Sequence, residues 1–191
     1  MTLDDPIQYP WPVETQSGLL SGDTFEPGAT TSTAGRTLVV AVGSNANPAI
    51  LARKLLAAGL VPCVPFIGCT VQNLAAGHSA HQNPRGYIPA APFHRSGSAM
   101  RLVATWLNES ELEALDATEA NYARIRVSGE DYRLILDTGG APAHFALYES
   151  RRGVLARPGA PVDLMAQHAL QQTRTTEALL AGPSGIGGAH R

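Results

Sequence analysis

Gly43-Ser44-Asn45 is the first stretch in this chain whose residue types suit chemistry. It follows the apolar run Leu38-Val39-Val40-Ala41-Val42, which reads as a buried strand. It precedes Asn47 and Pro48, a cap and a first helical position. N–H groups at a helix start are unpaired and carry partial positive charge. A glycine lets a ligand approach that backbone, so the loop suits a carboxylate, a phosphate or a developing oxyanion. An ordinary strand-to-helix turn with an Asn cap has the same sequence. The loop has neither Walker spacing nor a dinucleotide fingerprint. It also lacks Gly-x-Ser-x-Gly, which argues against Ser44 as a hydrolase nucleophile.

Glu119 is the second candidate. It lies four residues after Leu115 and seven after Leu112, so on a continuous helix it shares their apolar face. A carboxylate facing a core is desolvated, which raises its pKa and makes it a better general base near neutral pH. The structural alternative is a helix-terminal acid paired with Arg124 or Arg126. Glu113 and Asp116 point to solvent on the same spacing. His78 and His81 have H-x-x-H spacing, but no third ligand stands at a familiar distance, so no metal is expected. Cys63 and Cys69, five residues apart within apolar sequence, read as core residues, and Trp106 and Tyr87 read as packing residues.

The elements that must hold these groups follow from patterning. A helix from Pro48 carries Ile50, Leu51, Leu55 and Leu56 inward and stops near Gly59. Strands are expected over 63–72 and 98–107, with a Gly-, Pro- and His-rich region around 77–94 between them. Asn108, with Glu111 three residues on, caps a helix with Leu112 and Leu115 as its stripe. Further strands are expected over 122–127, 132–136 and 144–148, with a turn at 128–131. A helix over about 161–180, broken near 173–176, closes the series. Strands outnumber helices in mixed order, which predicts an α+β domain: a small mixed curved sheet or barrel with flanking helices. That domain spans 36–181. Residues 1–35 show no helical or strand period and read as a flexible or docking arm. Tyr9, Trp11 and Phe25 are costly in a purely disordered segment. The arm is expected to be removable up to about residue 30 without unfolding the domain, and 182–191 read as a flexible tail.

Composition narrows the function classes. With 44 % apolar and 16 % charged residues, 191 residues are neither a disordered chain nor a charged coiled coil. The net charge of −2 shows no basic excess for nucleic acid. No apolar run approaches the ~20 residues that span a bilayer. The start, Met1-Thr2-Leu3-Asp4-Asp5, lacks the basic and apolar pattern of a secretory leader. Two cysteines make no disulfide framework, so a reducing cytoplasm is the expected compartment.

Four stretches together resemble the gamma-glutamylcyclotransferase-like family, over roughly residues 37–180. Val40-Ala41-Val42-Gly43-Ser44-Asn45 is similar to the family's Tyr-Gly-Ser-Asn signature, with Val42 in the place of its tyrosine. Arg85-Gly86-Tyr87-Ile88-Pro89-Ala90 is similar to its glycine-to-apolar segment before the middle strand. Leu115-Asp116-Ala117-Thr118-Glu119-Ala120-Asn121-Tyr122 looks like its Leu-Asp-x-x-Glu stretch with a following tyrosine. Leu147-Tyr148-Glu149-Ser150 resembles its late strand ending in a tyrosine. The resemblance implies Glu119 as acid/base and Val42, Gly43, Ser44, Asn45 and Ala46 as the substrate loop. It places Tyr122 and Tyr148 beside the cavity.

It implies a cyclising acyl transfer of transferase or lyase type: a gamma-glutamyl compound goes to 5-oxoproline and a free amine or amino acid. The substrate's own α-amine closes a five-membered ring on its γ-carbonyl, so the reaction needs a base, oxyanion donors and a returned proton. No cofactor is called for. The leaving portion is an amino acid, glutathione or an amine, and its selection falls to the loop between His78 and His94. The alternative is a non-catalytic small-molecule binding module on the same fold. A metal-dependent hydrolase on His78 and His81 is the third reading.

Overall fold

The computed structural model describes residues 5–187 and 189–190. Residues 5–35 are not a free tail. β1 (Gly18–Ser21) and β2 (Thr24–Pro27) form a hairpin at one sheet edge, with β1 registered on the strand that begins at Cys63, from Gly18↔Phe66 to Ser21↔Cys63. Gly22 takes the left-handed φ of +59° that this two-residue turn requires. Leu20 is fully buried, as are Tyr9 and Trp11 upstream. Leu19-Leu20, Gly22-Asp23 and Phe25 were the hairpin signal in the sequence.

β3 (Thr37–Ala41) leads through a 3-10 turn at Ser44–Ala46 into α1 (Pro48–Ala57). Asn47 caps α1 as expected, and Gly59, with φ +78°, ends it just beyond. Ile50, Leu51 and Leu55 face inward, but Leu56 is 43 % exposed, because it lies off the face those three share. β4 (Cys63–His78) and β5 (Ala90–Leu107) form the long central hairpin. Both run further into the Gly-, Pro- and His-rich region than the composition suggested. Antiparallel pairing from Leu74↔His94 to His78↔Ala90 satisfies that backbone, so only the segment between His78 and Ala90 is irregular.

α2 (Glu109–Thr118) carries the expected capping box of Asn108 and Glu111. Glu111 is buried and also meets Arg36 at 3.0 Å. β6 (Tyr122–Ser128), β7 (Leu134–Leu136) and β8 (His144–Ser150) follow, β6 and β8 antiparallel and β8 parallel to β3. β9 (Val154–Arg157) and β10 (Ala160–Pro161) belong to a second, three-stranded sheet. The helix expected over 161–180 is shorter. The threonine-rich stretch forms the last turn of α3 (Gln167–Thr176), its hydroxyls bonding the carbonyls of Ala169, Gln172 and Thr173, and the chain continues as β11 (Leu180–Gly182) on β9. β12 (Ala189–His190) pairs with β6. Ser184 and Ile186 are buried, so the described part of the expected tail is packed. Residues 1–4, 188 and 191 of the expected termini lie outside the described residues.

The main sheet runs β12-β6-β8-β3-β5-β4-β1-β2, with β7 on β4. It is a large curved mixed sheet in an α+β fold that stays open and does not close into a barrel. Its faces bury separate cores. Val39 and Ala41 join Leu51, Leu55, Phe66, Leu112 and Leu115 under the helices, while Val40 faces Val71, Leu102, Ile125 and Leu147. That alternation explains the unbroken apolar run of β3. Cys69 is buried, and burial pushes its thiol up to about 12. Cys63, expected in the core, is exposed at the start of β4. No helix among the described residues is long and apolar enough to cross a membrane.

Candidate active site

The chain leaves β3 at the sheet's edge of the cavity and turns at Gly43, whose φ is −125° and ψ −136°. A Cβ there would stand 3.3 Å from the Ala90 Cβ and 3.4 Å from the Tyr9 hydroxyl, so glycine answers a close approach by β5 and the N-terminal segment. The Asn47 carboxamide oxygen accepts from the N–H groups of Ala49 and Ile50 at 3.0 and 3.2 Å. Its amide donates to the Pro12 carbonyl at 2.8 Å. One residue thus fixes the helix start and ties the N-terminal segment to the loop.

Glu119 is not on the apolar stripe of α2. The helix ends at Thr118, and Glu119 is its C-cap with φ −106° and ψ 43°. The break swings its carboxylate off the helix face toward the glycine loop. Oε1 accepts from Asn45 Nδ2 at 3.0 Å and from Lys54 Nζ at 2.7 Å. Lys54 also donates to Asn45 Oδ1 at 2.7 Å, closing a three-membered network. The side chains of Glu119 and Lys54 are only 12 % and 20 % exposed, so solvent screens this pair incompletely. No hydrogen bond from a described residue reaches Oε2. The anticipated partner Arg124 instead grips Asp116 through Nε and a terminal nitrogen at 3.0 and 2.8 Å. Asp116 also accepts the Tyr148 hydroxyl at 2.7 Å, so it is a held group rather than a solvated one.

A cavity of about 440 Å³ opens beside this network. Val42, Gly43, Ser44, Asn45, Glu119, Tyr122 and Tyr148 all border it. Ala46 does not. It is buried by the turn and lines a separate apolar cavity of about 250 Å³ behind the loop. Tyr122 donates to the Ala90 carbonyl at 2.8 Å, which pins its ring across the cavity wall.

Sequence reasoning missed half of the wall. Tyr9 stacks on Tyr87 with centroids 4.5 Å apart, and Trp11 stands edge-on to both at 5.0 Å. The Tyr9 hydroxyl accepts the Ala90 N–H at 2.7 Å. Tyr87, read as a packing residue, therefore also belongs to the cavity wall. The signal was present in the aromatic content of the arm, but nothing local said where it would dock. Lys54 gave only the signature of a last-turn cation.

Charge and burial are divided sharply in this cavity. Burial first, and the Glu119 carboxylate to a smaller degree, push the phenols of Tyr9, Tyr87, Tyr122 and Tyr148 above the usual tyrosine value, with Asp116 also acting on Tyr148. All four are neutral hydroxyls at neutral pH. Among the described residues, Arg53, Lys54, Arg85 and Glu119 are the charged side chains that border the space.

His78 and His81 do not converge. His78 is fully buried, with Nε2 accepting the Met165 N–H at 3.0 Å and Nδ1 3.4 Å from the Ile88 carbonyl. His81 borders the cavity instead. Among the described residues no three His, Cys, Asp or Glu side chains gather as a metal site.

No family model and no curated protein sequence matches the chain. Two solved structures are similar. The solution structure of At3g28950.1 from Arabidopsis thaliana is 15 % identical, with 78 % of this chain and 84 % of that one covered and a TM-score of 0.47. The solution structure of At5g39720.1 from Arabidopsis thaliana is 14 % identical, with 76 % and 87 % covered and a TM-score of 0.47.

Proposed function

We propose that this protein is a gamma-glutamylcyclotransferase-type enzyme that converts a gamma-glutamyl compound to 5-oxoproline and a free amine or amino acid. The observation that supports this reading best is the meeting of Glu119 with Asn45 of the glycine loop, 74 residues apart in sequence, at the wall of one cavity. Lys54 and Asn45 hold Oε1, which leaves Oε2 to work as the base.

Glu119 Oε2 takes a proton from the substrate's α-ammonium. The freed amine nitrogen attacks the γ-carbonyl carbon and closes the five-membered ring, placing negative charge on the carbonyl oxygen. On this reading the N–H groups of the cavity-lining Ser44–Asn45 turn are the donors assigned to that charge. The ring nitrogen, now carrying two protons and a positive charge, gives one of them up as the carbon–nitrogen bond to the leaving group breaks; Glu119 returns its proton to the departing nitrogen, and the released amine takes up the other as an ammonium. Atoms and charge balance with no covalent enzyme intermediate. Positioning the amine over its own carbonyl is the larger contribution, because intramolecular closure has a high effective concentration once the rotors are fixed.

The alternative is a binding module on the same fold, favoured by Val42 at the position of the family's tyrosine. Incubation with gamma-glutamyl amino acids, gamma-glutamyl amines and glutathione, with 5-oxoproline read by mass spectrometry, separates the two. An enzyme makes product that Glu119→Gln abolishes, whereas a binding module makes none.

A further inference from the structure

The second cavity, of about 250 Å³, lies behind the glycine loop, and the cyclisation chemistry does not use it. Its origin is in the topology. β3 pairs with β5 only as far as Ala41↔Val103, because the chain then turns away at Gly43. Residues 100–102 of β5 are left without a β3 neighbour. The N-terminal segment crosses at that place. Pro10 and Pro12 have no N–H, so the segment cannot extend the ladder on β5 as a strand. Its hydrogen bonds go to the loop instead. The Pro12 carbonyl accepts from the Asn47 amide at 2.8 Å, and the Glu14 N–H donates to the Ala46 carbonyl at 2.9 Å. At its two ends, the Tyr9 hydroxyl accepts the Ala90 N–H and the Thr15 carbonyl accepts from Arg101. The segment is thus a strap tied over a gap rather than packed into it.

The walls decide what the gap accepts. Val42, Met100, Leu102, Val103 and Leu164 present hydrocarbon and one thioether. Among the described residues two charged side chains border it, Glu14 and Arg101, and each is already matched. Glu14 Oε1 accepts the N–H groups of Thr15 and Gln16 at 2.8 and 2.7 Å. Arg101 pairs with Asp137 through both terminal nitrogens and donates to the Thr15 carbonyl at 2.9 Å. A charged ligand would give up its hydration here without gaining a partner. An uncharged apolar ligand gains by leaving water, and Met100 can shift to fit its shape. An apolar cavity of about 150 Å³ takes up benzene, so this one has room for a substituted ring. Val13 borders the cavity and is 46 % exposed, which marks its mouth.

We infer that this cavity is a binding site for a small uncharged apolar ring compound, separate from the Glu119 site. Val42, Gly43 and Ser44 border both cavities, so an occupant lies against the back of the glycine loop. The site exists whether the first cavity turns over a substrate or only binds one.

The test compares toluene with benzoate, rings of similar size that differ in charge, by NMR titration of the full chain. Toluene is expected to bind saturably with a Kd of about 1 mM or tighter. It should shift the methyl signals of Met100, Leu102 and Val103 and the amide signals of Gly43 and Ser44. Benzoate is expected to bind at least about tenfold more weakly. Met100→Trp fills the cavity from β5, and Val13→Trp closes its mouth. Each should weaken toluene binding about tenfold or more. Val13 lies half exposed, so its variant keeps the fold and reads the site even if Met100→Trp does not fold. No saturable shift with toluene, equal binding of benzoate, shifts centred on Tyr122 and Tyr148 of the first cavity, or unchanged affinity in Val13→Trp overturns the inference.

Discussion

The two sides of the cavity are built in different ways. One side is the glycine loop, α1 and the end of α2, where Asn45, Lys54 and Glu119 meet. Short local signals define each of its pieces: an Asn cap before proline, a capping box, a left-handed glycine after the helix. The other side is assembled from Tyr9 and Trp11, from Tyr87, and from His81 in the irregular segment between β4 and β5. Those pieces are docked by contacts tens of residues apart, such as Tyr9 to Ala90 and Gln167 to Ile88. On the proposed reading, acid/base chemistry rests on locally encoded elements. Recognition rests on tertiary docking, where a family pattern and a local period say little.

Removing residues 1–30 takes away the largest part of the second side. Tyr9, Trp11 and Leu20 are each buried, and full burial of side chains this large is worth about 1.5–3 kcal/mol apiece. The loss is comparable with the whole stability of a small domain. The truncated chain is expected to give no cooperative thermal transition by circular dichroism, contrary to the expectation from composition that the arm is dispensable. A cooperative melt near the wild-type temperature would show that the arm does not hold the second side together.

Lys54→Met probes the first side. It removes one of the two donors to Glu119 Oε1, and a hydrogen bond to a charged group contributes about 1.5–3 kcal/mol. On the proposed reading, kcat/KM for 5-oxoproline formation falls about tenfold to a hundredfold, with the fold intact by circular dichroism. Tyr9→Phe probes the second side more gently. It leaves the Ala90 N–H without its acceptor at a cost of about 1–3 kcal/mol, read as a lowered denaturant midpoint with unchanged slope.

The smallest effect is a pH dependence. Burial holds His78 and His81 below the usual histidine value, with the Arg152 charge adding to the effect on His81. The unfolded chain therefore binds more protons than the folded one as pH falls through about 6.5, and stability declines from there toward the lowered values. Denaturant midpoints measured between pH 7.5 and 5 should fall, and the fall should be shallower in a variant with both positions changed to Asn.

The difference between the two sides also explains how much the sequence disclosed. β3, the Asn47 cap, the α2 capping box and most strands were legible because local patterning decides them. Glu119 was legible as a candidate, but for a reason the structure replaces. Its spacing suggested the apolar face of α2, whereas its place just past the helix end is what turns it to Lys54 and Asn45. Ala46 falls outside the cavity because the 3-10 turn rotates it behind the loop. Cys63 and Leu56 were misplaced because an apolar neighbourhood does not say which face a residue takes at the end of an element. The aromatic wall was legible only as aromatic content in the arm, because no sequence period reports a contact such as Tyr9 on Tyr87.

The proposed role of Glu119, seated against the glycine loop, is to cyclise a gamma-glutamyl substrate. It is tested by 5-oxoproline production from gamma-glutamyl amino acids by the wild-type protein and by Glu119→Gln, quantified by mass spectrometry. Steady product is expected from the wild type, with a fall of about 10²–10⁴-fold in the variant, the range for loss of a general acid/base. Equal product from both, or none from the wild type with any gamma-glutamyl compound, would contradict it.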